Sequence, residues 1–291
     1  MFRTLIGATA LATALVAAPF AALPALADTL RFGVTDLEGM EALQQEFGAF
    51  ETALEAATGH EIELYAVSSR TSAVEAINQG QVDLILTGPA EYVVIKELAD
   101  PVIVAGWQRP NYYAQLVTLA DGPVKSVQDL RGKKVTFGSI GSTSQHLGPA
   151  QVLADLGLKL DADYTGEVIG RNVAVEALIR GDVQAVGMSE SHLKSIREAF
   201  PETAFTVIAR GRDLPNDILV ARKDLAPELI ESVRKAFAEQ GEALMTAVLQ
   251  GDDNKKYEGG FFLTEINDSD YDYVRSMYAT IGVDTKSFVG E

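Results

Sequence analysis

The sequence predicts an α/β fold of two similar lobes, each a helix-covered mixed sheet, joined by two crossing strands. Three observations carry this. Strand-like and helix-like segments alternate along most of the chain, the pattern of parallel sheets covered by helices. The stretch Arg70-Thr-Ser-Ala-Val-Glu-Ala-Ile-Asn-Gln-Gly-Gln-Val-Asp83 recurs at a constant offset of 101 as Arg171-Asn-Val-Ala-Val-Glu-Ala-Leu-Ile-Arg-Gly-Asp-Val-Gln184. Finally, two strands between Pro101 and Ala120 follow one another with no helix between them, and Asn216 to Arg222 reads as a strand returning.

Taken in order, Thr29 to Thr35 alternates and forms the first strand. Met40 to Ala57 places Leu43, Phe47, Phe50 and Leu54 at helical spacing and closes at Gly59. Ile62 to Val67 is the second strand. The first repeat helix follows, and then Val82 to Leu86 as a buried strand. Gly88-Pro89 turns the chain into a short helix near Tyr92. Each repeat copy is a helix that stops at a glycine, Gly80 or Gly181, and feeds a buried strand. Val102 to Ala105 and Tyr113 to Leu119 are successive strands, the second being the crossing between lobes. Val127 to Gly138 opens another alternation that runs to about Ala209. Pro227 to Leu249 and Asp268 to Ile281 are helical and expected to pack on lobe one. The lobes are therefore expected at residues 28–117 with 216–291, and at 118–215.

Met1-Phe-Arg3, a small apolar run from Leu11 to Leu26 and the site Ala25-Leu-Ala27 make residues 1–27 a secretory signal peptide, cut after Ala27. Pro19, Pro24 and the short run argue against a membrane anchor. There is no cysteine, hence no lipid attachment, disulfide or thiolate chemistry. A soluble exported protein, without stable membrane insertion, is expected. The formal net charge is −17, and loss of Arg3 with the leader makes it one unit more negative. Such a surface repels nucleic acid and anionic lipid. Any anion site must then be locally positive and shielded.

The strongest local candidate is Phe137-Gly-Ser-Ile-Gly-Ser-Thr-Ser-Gln-His146, between a strand and a helix. Ser142, Thr143 and Ser144 fall at the N-cap and first turn, where free N–H groups and hydroxyls converge at the positive end of the helix dipole. That arrangement suits a tetrahedral oxyanion. Without a Gly-Lys-Ser/Thr it is not a nucleotide-binding P-loop. Arg70 and Arg171 stand at equivalent places in the repeat. If both face one cleft, two guanidinium forks would grip such an anion.

Gly88-Pro-Ala-Glu-Tyr92, Asp129-Leu-x-Gly132-Lys-x-Val135, Ser142-Thr-Ser144 and Pro215-Asn-Asp217 occur in this order over nearly the whole mature chain. In this the sequence resembles phosphonate/phosphite-type substrate-binding proteins of ATP-driven (ABC) importers. The resemblance implies a periplasmic binding protein of type II-like architecture with no cofactor. It implies that Ser142, Thr143 and Ser144 grip the oxyanion, that Tyr92 adds a phenolic donor and that Asp217 accepts in the cleft. Glu190 lies near an acidic family position that meets a ligand amine or hydroxyl, on a loose match. The family usually has tyrosine at Arg70 and often histidine at Arg171. These departures add charge and favour a small, highly charged anion over bulky aminophosphonates. The expected partners are the oxyanion and a permease in the inner membrane, with the chain a monomer.

Two other readings compete. An exported binding protein can present its loaded form, including an arsenic-type oxyanion, to a histidine kinase instead of a permease. A secreted serine hydrolase would use Ser189 in Gly187-Met-Ser-Glu-Ser191, but the final glycine of the nucleophile elbow is missing. Asp268-Ser-Asp-Tyr-Asp272 resembles the start of a calcium loop but lacks its glycine and closing glutamate, so helix-opening acids explain it better. No metal site is expected, and His146 is read as a helix-face residue near the anion site. Trp107, the one tryptophan, either lines the cleft mouth or packs in the core.

Overall fold

The computed structural model describes residues 28–285, so the expected leader lies outside the described residues. The first sheet has the order β11-β4-β10-β3-β1-β2. It is built from β1 (Thr29–Val34), β2 (Glu61–Leu64), β3 (Leu84–Thr87), β4 (Val102–Trp107), β10 (Asp217–Ala221) and the short β11 (Phe262–Leu263). β1 runs parallel to both β2 and β3, with β10 antiparallel between β3 and β4. Helices α1 (Met40–Thr58), α2 (Arg70–Asn78) and α3 (Pro89–Ala99) connect the early strands, and α7 (Pro227–Val248) packs along α1.

The second sheet has the order β7-β6-β8-β5-β9. Its strands are β5 (Tyr113–Leu119), β6 (Lys134–Phe137), β7 (Thr165–Val168), β8 (Ala185–Ser189) and β9 (Phe205–Asp213). Its helices are α4 (Gly148–Asp155), α5 (Arg171–Arg180) and α6 (Glu190–Ala199). Here β6 is parallel to β7 and β8, as β1 is to β2 and β3. The sequence repeat is thus one unit used twice: α2–β3–α3 in the first sheet and α5–β8–α6 in the second. Gly80 and Gly181 follow the paired helices at φ of 68° and 82°, a left-handed turn that glycine adopts without a Cβ clash.

The crossings differ from expectation in one respect. β5 pairs along its length with β8 and β9 and belongs wholly to the second sheet, so the chain changes sheets at residues 108–112 and not at 117. The return lies at 214–216, and the two links are tied where the Leu214 N–H donates to the Tyr112 carbonyl at 2.8 Å. The second expected tail helix, α8 (Asp272–Thr280), does not pack on lobe one alone. It bridges α3 and α4, with Tyr278 Oη donating to the Ala90 carbonyl at 3.1 Å and Thr280 Oγ1 to Gln151 Oε1 at 2.6 Å.

Apolar spacing in α1 does what it predicts: Leu43, Phe47, Phe50 and Leu54 are buried against β1 and α7. Trp107 joins them, fully buried, with ring centroids 5.3 Å from Phe50 and 5.9 Å from Phe237. The tryptophan is a core residue and not part of the cleft mouth, because its strand position faces α1 and α7. Truncating such a ring costs about 3–5 kcal/mol. Asp83 is buried beneath this sheet, accepting from Arg31 Nε at 2.9 Å and Arg222 Nε at 2.7 Å, which fixes β1, β3 and β10 together.

Candidate functional site

The C-terminal ends of the parallel strands in both sheets open onto one cleft of about 1910 Å³. Small-ligand sites commonly measure ~300–1,000 Å³, so a tetrahedral anion would touch only part of this wall. Which part is decided by the side chains.

Ser142, Thr143 and Ser144 all line the cleft and are nearly buried. They begin a π-helical turn, Thr143–Leu147, that runs directly into α4. The wide turn has both the His146 and Leu147 N–H groups on the Ser142 carbonyl, each at 3.0 Å. The N–H groups of Thr143 and Ser144 lie in its first turn, with no earlier helical carbonyl to bond. The loop before it turns at Gly141, φ 74°, whose N–H donates to His146 Nδ1 at 3.0 Å. Burial holds the His146 imidazole below its ordinary pKa, consistent with the neutral ring that this acceptor role requires. Among the described residues, neither the Ser142 nor the Ser144 hydroxyl has a protein hydrogen-bond partner. Thr143 Oγ1 differs: it accepts the Ala90 N–H of α3 at 3.0 Å.

One cation in this cleft is a residue that sequence reasoning passed over. Arg109, in the first crossing, stacks its guanidinium 4.0 Å over the Tyr112 ring, and Tyr112 and Thr143 line the cleft with it. Burial pushes the Tyr112 phenol up to about 12 although Arg109 opposes the shift. Arg109 Nη1 is 3.6 Å from Asp217 Oδ2, a loose pair that leaves donors free. Asp217 Oδ2 also accepts from Tyr257 Oη at 2.7 Å, while its buried Oδ1 has no hydrogen-bond donor among the described residues. Lys256 lines the same wall. Its position follows from the crossing topology and a 3₁₀ turn, Asp253–Tyr257, which carry no periodic signal in the sequence.

Arg70 does face the cleft, at the start of α2, but it is ion-paired with both Asp36 and Glu91. Its charge is therefore already matched, which removes the expected contribution of Arg70 to a strongly cationic grip. Arg171 opens α5 at the equivalent place, and its side chain lies outside the described residues. Glu190 opens α6 on the opposite wall. Tyr92 is not in the cleft. It is fully buried, its ring 4.4 Å from that of Tyr271, and its hydroxyl donates to Asp268 Oδ1 at 2.9 Å. The docking of α8 and the turn before it turns this phenol away from the site the resemblance implied. Asp268 also pairs with Arg275, and Asn267 and Asp270 form a capping box, so these acids open a helix.

Among the described residues, eleven carboxylates and five lysine or arginine side chains line the cleft. The expectation of a locally positive site fails for the cleft as a whole. Among the described residues, Arg109 and Lys256 are two of the cations that line it, with Asp36 and Asp217 close to both. The profile of one family, described as ABC transporter, phosphonate, periplasmic substrate-binding protein, matches residues 32–271. The chain belongs to this family.

Among relatives of this chain, the phosphate-import protein PhnD of Mycolicibacterium smegmatis is 24% identical over 281 residues, covering 88% of this chain and 86% of the relative. The phosphonates-binding periplasmic protein of Escherichia coli is 22% identical, covering 73% and 66%. In fold, the chain is similar to PhnD1 of Prochlorococcus marinus in complex with methylphosphonate (TM-score 0.70, 16% identity, 88% and 98% covered). It is also similar to a phosphonate-transporter binding component of Pseudomonas aeruginosa (TM-score 0.67, 17% identity, 86% and 85% covered). These are two-lobe periplasmic binding proteins, and the architecture here is theirs. No described helix is long and apolar enough to cross a membrane. Ser189, the hydrolase candidate, uses its hydroxyl to accept the His192 N–H and to bond Ser191, as the cap of α6.

Proposed function

We propose that this chain captures a small tetrahedral oxyanion of the phosphonate, phosphite or phosphate class in the periplasm and delivers it to an ABC permease. The observation that carries this is the Ser142–Ser144 turn. The Ser142 and Ser144 hydroxyls, which have no protein hydrogen bond among the described residues, and the first-turn N–H groups lie together at the start of a helical run, with Arg109, stacked on Tyr112, in the same cleft. Donors so placed stabilise a negative oxygen cluster without reorganising. Asp217 Oδ1 and Glu91 Oε2 are buried acceptors beside Gly88, suited to a P–OH or other donor on the same ligand. Relatives named for phosphate import and phosphonate binding point the same way.

In this reading the work is reversible. The anion settles on the second lobe, the links at 108–112 and 214–216 bend, and the first lobe closes over it. No bond is made or broken in the ligand.

A thermal-shift screen of the mature protein against phosphate, phosphite, methylphosphonate, aminoethylphosphonate, arsenate, selenate and sulfate tests it. A ligand that binds only the folded state stabilises by RT ln(1 + [L]/Kd). A clear rise in Tm is expected with at least one phosphorus oxyanion, followed by micromolar or tighter binding in calorimetry. No shift with any of them refutes the proposal.

A further inference from the structure

Lys256 occupies an unusual position on the first-lobe wall. The turn that carries it is held on both sides. Before it, the Asp253 N–H donates to Glu46 Oε2 at 2.9 Å and Asn254 Nδ2 to the Glu46 carbonyl at 2.8 Å, with Asn254 almost fully buried. After it, Tyr257 packs 5.6 Å from Trp107 and donates to Asp217. Between these anchors the Lys256 ammonium sits 5.2 Å from the Tyr257 ring centroid and lines the cleft. Asp36, Asp217 and Asp253 face it, yet among the described residues no carboxylate comes within salt-bridge distance.

The charges on this wall then separate cleanly. Arg70 is matched by Asp36 and Glu91, and Arg109 is loosely paired with Asp217 at 3.6 Å, with donors left over. Lys256 is the cation on the wall that no carboxylate pairs directly. A half-buried ammonium beside a second cation, Arg109, is costly unless a ligand anion comes between them.

We propose that Lys256 supplies a direct second positive contact to the bound oxyanion and makes the site selective for doubly charged tetrahedral anions over singly charged ones. This rests on the oxyanion-binding reading above. Arg109 with the Ser142–Ser144 turn holds one charged face of the anion, and Lys256 meets the second charge from the first lobe as the cleft closes.

Phosphite and hypophosphite test this well, since at neutral pH they are tetrahedral phosphorus anions of nearly equal size carrying mostly two charges and one. Calorimetric Kd values would be measured for the wild type, Lys256→Met, Lys256→Arg and, as a neighbouring control, Lys255→Met. Lys255 is exposed and pairs with Asp252. The expected result is at least a tenfold loss of phosphite affinity in Lys256→Met, a smaller loss for hypophosphite, and most of the affinity retained in Lys256→Arg. Lys255→Met should stay within about twofold. Wild-type phosphite binding that Lys256→Met leaves within twofold overturns the inference alone. So does an equal loss in Lys255→Met, or an equal loss for both anions. A wild type that binds neither anion, nor phosphate or methylphosphonate, overturns the oxyanion reading and this inference together.

Discussion

Thr143 Oγ1, in the second lobe, accepts a 3.0 Å hydrogen bond from the Ala90 N–H at the start of α3 in the first. The middle member of the Ser-Thr-Ser run is thus tied to the opposite lobe, while the serines on either side carry the free hydroxyls. One run of three similar side chains divides into two tasks, ligand contact and lobe coupling.

Ser142→Ala and Ser144→Ala should each weaken oxyanion binding by roughly 10- to 150-fold, the effect of about 1.5–3 kcal/mol for a hydrogen bond to a charged group. Tm without ligand should barely change. Calorimetry on the purified variants checks this. Wild-type affinity in both would remove the turn from the binding site.

Tyr92→Phe should cost stability and leave affinity alone. The hydroxyl it removes bonds Asp268, which is not among the cleft-lining residues, and a lost hydrogen bond to a charged group is worth about 1.5–3 kcal/mol. Urea unfolding and calorimetry would be run side by side. A tenfold loss of affinity with unchanged stability would restore the phenolic donor role implied by the family resemblance.

Arg70→Gln should destabilise the fold by about 1–3 kcal/mol, less than the usual cost of breaking a fully buried pair because Arg70 is partly exposed. Glu91 would be left buried without its counter-charge. Adding Glu91→Gln should recover most of the loss, and denaturant midpoints of the two singles and the double measure the coupling. Additive effects would mean that the pair contributes nothing.

His146 gives a pH prediction. Burial depresses its folded pKa, so an unfolded chain takes up a proton near the ordinary value of about 6.5 while the folded chain does not. The stability associated with the neutral ring is present above that pH and declines as pH falls toward the folded value. Protonation would also end the acceptance of the Gly141 N–H at Nδ1 and loosen the loop before Ser142. Tm measured from pH 7.5 to 5 should fall less steeply in His146→Asn than in the wild type. Parallel curves would show that His146 does not contribute to the acid sensitivity.

Local pattern made much of this legible. The repeat at Arg70 and Arg171 predicted paired helix–strand units, and glycine-then-hydroxyl spacing marked the turn at Ser142 correctly as a helix start. What escaped were relationships set by convergence and not by spacing. Asp36 and Glu91 reach Arg70 from two different elements, and Tyr92 is aimed by a 3₁₀ turn, Asp268–Tyr271, beginning 176 residues later. Arg109 and Lys256 lie in a crossing and an irregular turn, where no period distinguishes a cleft-facing side chain from a solvated one. The β5 boundary was misplaced for a related reason: an apolar strand reads the same whichever sheet claims its edges.

Trp107 has a practical consequence for optical work on this protein. It is the single indole, sealed in the first-lobe core and edge-on to Tyr257, whose hydroxyl reaches Asp217 on the cleft wall. Its emission should therefore be blue-shifted and blind to quenchers in solution. Any change on adding an anion would arise through Tyr257 and not from the indole meeting the ligand, so a small, saturable fluorescence change would report movement of that wall.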